Sequence, residues 1–229
     1  MVYEIIFRVS SPVILDAPLH LDGILSCVHP AMNGRANQLN RTSSAGEILS
    51  APLPFDSARN NGTRVWCCSA GQFDQYAQDY IDDTIIKFTY PSDYDFLKMN
   101  HAPRTGPSRN QFKQIRGTLC SHVSFLFSST QPNEIYRIAK RVRGLGALRK
   151  IGYGVVTSLD LQESNLDWTQ CLIQQGRAMR NLPIEHIQNA KERLVCTRPP
   201  YWMPNNLEPG VLAGEECQLR DSVFLKEWN

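Results

Sequence analysis

Arg143-Gly144-Leu145-Gly146-Ala147-Leu148-Arg149-Lys150-Ile151-Gly152-Tyr153-Gly154-Val155-Val156 is the stretch on which the fold of this chain turns, since it links a cationic helical pattern to an apolar, strand-like run. Glycine allows positive φ and close backbone approach, and Arg143, Arg149 and Lys150 carry charge that suits phosphate oxygens. The same residues would also serve a plain helix-to-strand connection, with glycines capping the helix and cations standing in water. Its surroundings must separate the two readings.

Immediately upstream, Pro132 to Val142 is the clearest helix: Ile135, Ile138, Ala139 and Val142 share one face, and Arg137, Lys140 and Arg141 lie largely on the other. Gly144 or Gly146 is expected to end it. Ser121–Phe127 before this helix and Val155–Leu161 after the loop read as apolar strands. Farther upstream, Ile85–Tyr90 alternates as a strand and opens a basic region containing Lys87, Lys98, His101, Arg104, Arg109, Lys113 and Arg116, with Asp93 and Asp95 as its main acids. Phe88, Tyr90, Tyr94, Phe96 and Phe112 are interleaved with these cations. Exposed rings among cations can follow a sugar-phosphate chain and stack on bases, whereas rings turned inward would leave an ordinary solvated loop. Pro91, Pro103, Gly106 and Pro107 favour a protruding hairpin or loop over a packed helix pair.

Tyr3–Val9 is a β-rich opening run, expected to be a central strand. After it, Leu21, Ile24, Leu25 and Val28 follow a helical spacing behind Pro18. His20 and Asp22 invite an acid/base reading there, but an aspartate at a helix start suits the dipole and a lone histidine more often packs. Residues 33–64 are rich in Asn, Ser, Gly, Pro and Arg and read as a long excursion with one or two short strands. Arg64–Ala70 follows as a buried strand, in which Cys67 and Cys68 are expected to divide between a buried and an exposed position.

The composition sets limits on function. The chain has 229 residues, 42% hydrophobic and 20% charged, as in an ordinary globular protein. A formal net charge of +2 means that any polyanion footprint must come from clustering of cations. The seven cysteines lack paired Cys-x-x-Cys spacing, which argues for reduced thiols and against a zinc site or disulfide framework. No run nears the roughly 18 apolar residues of a membrane span. The sequence therefore reads as cytoplasmic, with no metal, nucleotide cofactor or membrane partner indicated.

Strand, helix, long excursion, strand, helix, glycine-rich loop and strand fit an α+β, ferredoxin-like (RRM-like) core with insertions. The expected division is a core domain over 1–161, an inserted basic thumb at about 85–117, and a C-terminal extension over 162–229 packed on the core. Within the extension, Arg177–Ile184 and Arg198–Trp202 read as irregular, Pro-punctuated segments, where Tyr201 and Trp202 more often pack than bind.

Gly146–Val156 resembles the glycine-rich loop of the RAMP superfamily of CRISPR effector subunits. The Ser11–Leu15 to Leu19–Leu25 opening, Arg180–Ile184 and Arg198–Trp202 make most of the chain similar to the Cas-five-like subunit of type IV effector complexes. The resemblance implies a non-catalytic, prokaryotic, antiviral ribonucleoprotein subunit that caps the 5′ handle of the crRNA and meets the CRISPR backbone and large subunits. It also places the chain beside target DNA near the PAM. The implied RNA-binding residues are Arg143, Gly144, Gly146, Arg149, Lys150, Gly152, Tyr153 and Gly154 in the loop, and Lys98, Arg104, Arg109, Lys113 and Arg116 in the thumb. The rival reading is a metal-independent RAMP endoribonuclease processing precursor crRNA, with His20, His101 or His122 acting beside Tyr153 or a lysine. No spacing ties those candidates together.

Overall fold

The computed structural model describes residues 1–15, 17–29, 52–87, 111–201 and 204–228, with only the backbone of 82–87 and 111–114. Strand β1 (Val2–Val9) buries Ile5, Phe7 and Val9 on one face, by alternation, and Val2 on the other. Helix α1 (Leu21–Val28) buries Leu21, Ile24 and Leu25. His20 is its N-cap, so Pro18 precedes the helix rather than forming its first turn.

Next, β2 (Ser57–Asn60) and β3 (Thr63–Trp66) form a hairpin around Asn61-Gly62. Both turn residues have positive φ, as a tight hairpin turn demands. The short β4 (Gln72–Phe73) precedes a longer hairpin of β5 (Gln78–Lys87) and β6 (Gln111–Leu119). Then come β7 (His122–Ser128), α2 (Pro132–Ala139) and β8 (Val156–Ser164).

The main sheet has the order β4-β7-β1-β8, every pair antiparallel and β1 central. Ile5, Phe7, Val123, Phe125 and Phe127 on one face pack with Leu21 and Leu25 of α1 and Ile135 and Ile138 of α2. Among the described residues the protein is thus a mixed α/β structure of mostly antiparallel sheets and two helices.

Helix α2 ends earlier than its sequence suggests. Lys140 caps it, and Arg141 and Val142 continue as tight turns by donating to Ile138 and Ala139 carbonyls. Val142 still reaches the core, so the apolar spacing of the segment outlasts its regular helix.

After β8 the chain forms short strands: β9 (Ile173–Gln174), β10 (Arg177–Ala178), β11 (Leu182–Pro183), β12 (Ile187–Gln188), β13 (Arg193–Cys196), β14 (Leu207–Val211), β15 (Gln218–Leu219) and β16 (Phe224–Lys226). A second apolar cluster joins Leu172, Leu182, Ile187 and Val211 to Val2, Ala58, Val65 and Leu126. Strand β16 also pairs with β2, so the C-terminal residues complete a sheet begun far earlier in the chain.

Cys67 and Cys68 show how the second cluster changes the expected pattern. Their side chains enter different clusters, Cys67 the second and Cys68 the first, and both are fully buried. The expectation of one exposed cysteine fails because both sides of this segment are covered. Burial pushes both thiols up. All seven cysteines are free.

A buried polar network fastens the extension to α1. Arg180 Nη2 donates to Asp22 Oδ2 at 2.9 Å and to the Thr197 carbonyl at 3.0 Å, while Nη1 donates to the Trp66 carbonyl at 2.8 Å. The Tyr201 hydroxyl donates to Asp22 at 2.8 Å and accepts from Arg180 at 2.5 Å. Burial disfavours the guanidinium charge, but Asp22, Tyr201 and Cys68 together more than offset it, so the Arg180 pKa is raised. The His20 ring stacks on Tyr201 with centroids 4.0 Å apart. Burial, then the charge of Arg180, pushes its pKa down to about 3. Asp22, assigned from sequence to the helix dipole, is instead the buried counter-ion of Arg180.

Candidate nucleic-acid interface

Three residues shortly after β1, Pro12–Ile14, organise the glycine-rich loop. The Pro12 carbonyl accepts from Gly154 N at 2.8 Å, and the Ile14 carbonyl accepts from Ala147 N at 2.8 Å. Between them, Val13 exchanges two backbone hydrogen bonds of 2.9 Å with Thr118 of β6. The chain segment that holds the loop therefore also holds the base of the β5–β6 hairpin. Tyr80 of the hairpin meets Tyr153 of the loop edge-to-face, with ring centroids 6.2 Å apart.

The loop closes on itself through Leu145 N to the Gly154 carbonyl and Val156 N to the Arg143 carbonyl. At Gly146 and Gly154, which have φ of +75° and +60°, an added Cβ would collide with the carbonyl oxygens of Ile14 and Leu145 respectively. Those glycines serve internal contacts. Gly144 lies under the aliphatic stem of Arg149, whose Cγ stands 3.2 Å from where a Cβ would be. Gly152 alone of the four faces open space, so the sequence reading of all four glycines as a ligand surface is narrowed to the tip around it.

That tip is one turn of 3-10 helix over Arg149–Ile151, closed by Gly152 N donating to the Arg149 carbonyl. Arg149, Lys150, Ile151 and Gly152 are all exposed, as is Arg143 at the loop's start. Among the described residues, Arg143, Arg149 and Lys150 make no ion pair. The helix cations behave otherwise: Arg137 pairs with Glu134 at 2.6 Å, and Lys140 lies 4.6 Å from the Tyr136 ring centroid. The loop cations thus lack the acidic or aromatic partners, among the described residues, that Arg137 and Lys140 have.

The hairpin reaches farther back than the 85–117 insertion read from sequence, running from Gln78 opposite Leu119 to Lys87 opposite Gln111. Its base consequently includes Asp79, Asp82 and Asp83 and is mixed in charge, where the sequence reading was basic. Arg116 is exposed opposite Ile81, and Lys113 is described only as backbone opposite Thr84. Lys98, His101, Arg104 and Arg109 lie outside the described residues, as does Trp202.

Two of the three histidines considered for cleavage are among the described residues, and His101 is not. His20 is buried against Tyr201. His122 begins β7 and has Nδ1 2.9 Å from Ser121 Oγ, which donates to Asp74 Oδ2 at 2.8 Å. Asp74 also accepts from the backbone N–H groups of Tyr76, Ser121 and His122. These bonds, the Ser121 side chain first, pull its pKa down to about 2. The carboxylate is thereby committed to holding the turn into β7.

Among the described residues no group of His, Cys, Asp and Glu has the arrangement of a metal site, and no helix is long and apolar enough to cross a membrane. No family model matches the sequence, and no curated protein matches it.

Proposed function

We propose that this chain is a non-catalytic RNA-binding subunit of RAMP type, which caps the 5′ handle of a type IV CRISPR guide RNA. The observation that carries the reading is the joining of the cationic loop and the hairpin base by the single segment Pro12–Ile14. A polynucleotide backbone crossing Arg149 and Lys150 would pass from the loop to the hairpin without leaving one edge of the protein.

The strand order adds support. If β2–β3 and β5–β6 are insertions, β1, α1, β4, β7, α2 and β8 follow in the sequence and sheet order of a ferredoxin-like domain. The loop then sits between its second helix and last strand. Its cations would position RNA by phosphate contact rather than read bases, and Tyr153 would offer a ring beside them. Contact with an adjacent backbone subunit and with duplex beside the PAM belongs to the same proposal.

The experiment is reconstitution of the effector with Arg149→Glu/Lys150→Glu. Loss of guide-RNA retention, with the chain's thermal unfolding unchanged, is the expected result. Full retention would overturn the assignment of the loop.

A further inference from the structure

A second cationic surface lies outside the loop, on the sheet formed by β16, β2 and β3. The register sets Phe224 opposite Arg59 and Arg59 opposite Arg64, and next to this row it sets Lys226 opposite Ser57 and Ser57 opposite Trp66. Residues directly opposite in antiparallel strands share a face, as do alternate residues along each strand. All six therefore lie on one face, while Ala58, Val65 and Leu225 turn into the second apolar cluster.

Like charges placed directly opposite cost stability. Arg59 and Arg64 nonetheless face each other with no acid to pair with either among the described residues. Burial, and then the facing charge of Arg59, lower the Arg64 pKa. The Arg64 guanidinium lies 5.7 Å from the Trp66 ring centroid. The N–H groups Arg59 Nε and Trp66 Nε1 are buried without an acceptor among the described residues. Phe224, 57% exposed, extends the row with an open aromatic ring.

Among the described residues such a face lacks anions, and it has a ring for stacking. We infer that it binds the phosphodiester backbone of a single-stranded polynucleotide across Arg59, Arg64 and Lys226, with a base on Phe224. Charge complementarity selects a polyanion, and the exposed ring within the cationic row favours a polynucleotide over an acidic peptide.

The surface is separate from the glycine-rich loop. Its sheet is tied to the start of β1 through Cys67, Asp56 and Ser128, the last opposite Val2, whereas the loop is tied to the far end, where Val9 pairs with Val156. The run of β1 between those attachments is on the order of 20 Å at about 3.3 Å per residue. The inference does not depend on the loop binding RNA.

The test is fluorescence anisotropy of a labelled oligouridine at several salt concentrations, using the full chain. Arg64, Lys226 and Phe224 are exposed, so Arg64→Gln/Lys226→Gln and Phe224→Ser are expected to unfold like the parent. The double variant should bind about tenfold more weakly and lose about 1.4 from the slope of log affinity against log salt, and Phe224→Ser should weaken binding at every salt concentration. The protein carrying Arg149→Glu/Lys150→Glu should keep residual binding that Arg64→Gln/Lys226→Gln then removes. The inference is overturned if the double variant binds like the parent, if the loop variant has no residual binding, or if polyglutamate displaces the oligouridine as well as unlabelled oligouridine does.

Discussion

Arg180 and Asp22, 158 positions apart in sequence, form an ion pair of 2.9 Å in which both side chains are buried. A buried pair offers limited net stability, but removing one partner strands the other charge. Asp22→Asn or Arg180→Met should therefore cost about 3–5 kcal/mol in denaturant unfolding. Asp22→Asn/Arg180→Met should cost less than the sum of those two single substitutions. An additive double variant would show that the pair does not hold the C-terminal extension to α1.

His20 makes stability depend on pH. Its folded pKa is pushed down to about 3 from an ordinary 6.5, so between those values the unfolded chain binds more protons. Stability from this residue is complete above about 6.5 and falls as pH drops, with a limiting slope of about 1.4 kcal/mol per pH unit. His20→Phe retains a ring for Tyr201 and should flatten the curve between pH 6.5 and 4.5. Asp74, with a lowered pKa, contributes only at the acid end, its stabilisation being lost as pH falls from its ordinary value toward about 2. An unchanged slope in His20→Phe would assign the acid sensitivity to other groups.

The loop glycines should separate by thermal unfolding. Gly152→Ala meets open space and should cost only the backbone strain of positive φ, about 1 kcal/mol. Gly146→Ala and Gly154→Ala add collisions with backbone carbonyls and should cost more than about 2 kcal/mol. Equal losses at all three positions would contradict the internal packing role given to Gly146 and Gly154.

Periodicity made β1, α1, β7 and β8 legible, because the apolar residues each turns toward the core recur about every two or every 3.6 positions. It overran at α2, since Val142 keeps its place in the core after the hydrogen-bonded helix has ended at Ala139. The β2–β3 hairpin carried a local signal that was missed: Asn61-Gly62 between Ser57–Asn60 and Thr63–Trp66. Missing that turn also concealed the facing of Arg59 and Arg64. No local pattern could have joined Arg180 to Asp22, because their pairing depends on the extension packing against α1. The loop cations were legible as exposed charge, whereas the purpose of Gly146 and Gly154 depends on backbone that folds back over them.

The central claim is that Arg149 and Lys150 at the loop tip hold the guide RNA by its phosphates. Its most direct test is the affinity of the full chain for a repeat-derived 5′-handle RNA across a salt series, with and without Arg149→Gln/Lys150→Gln. The account predicts weaker binding for the variant and a slope of log affinity against log salt shallower by about 1.4, reflecting two lost contacts to a single strand. Equal affinity and equal slope for the two proteins would contradict it.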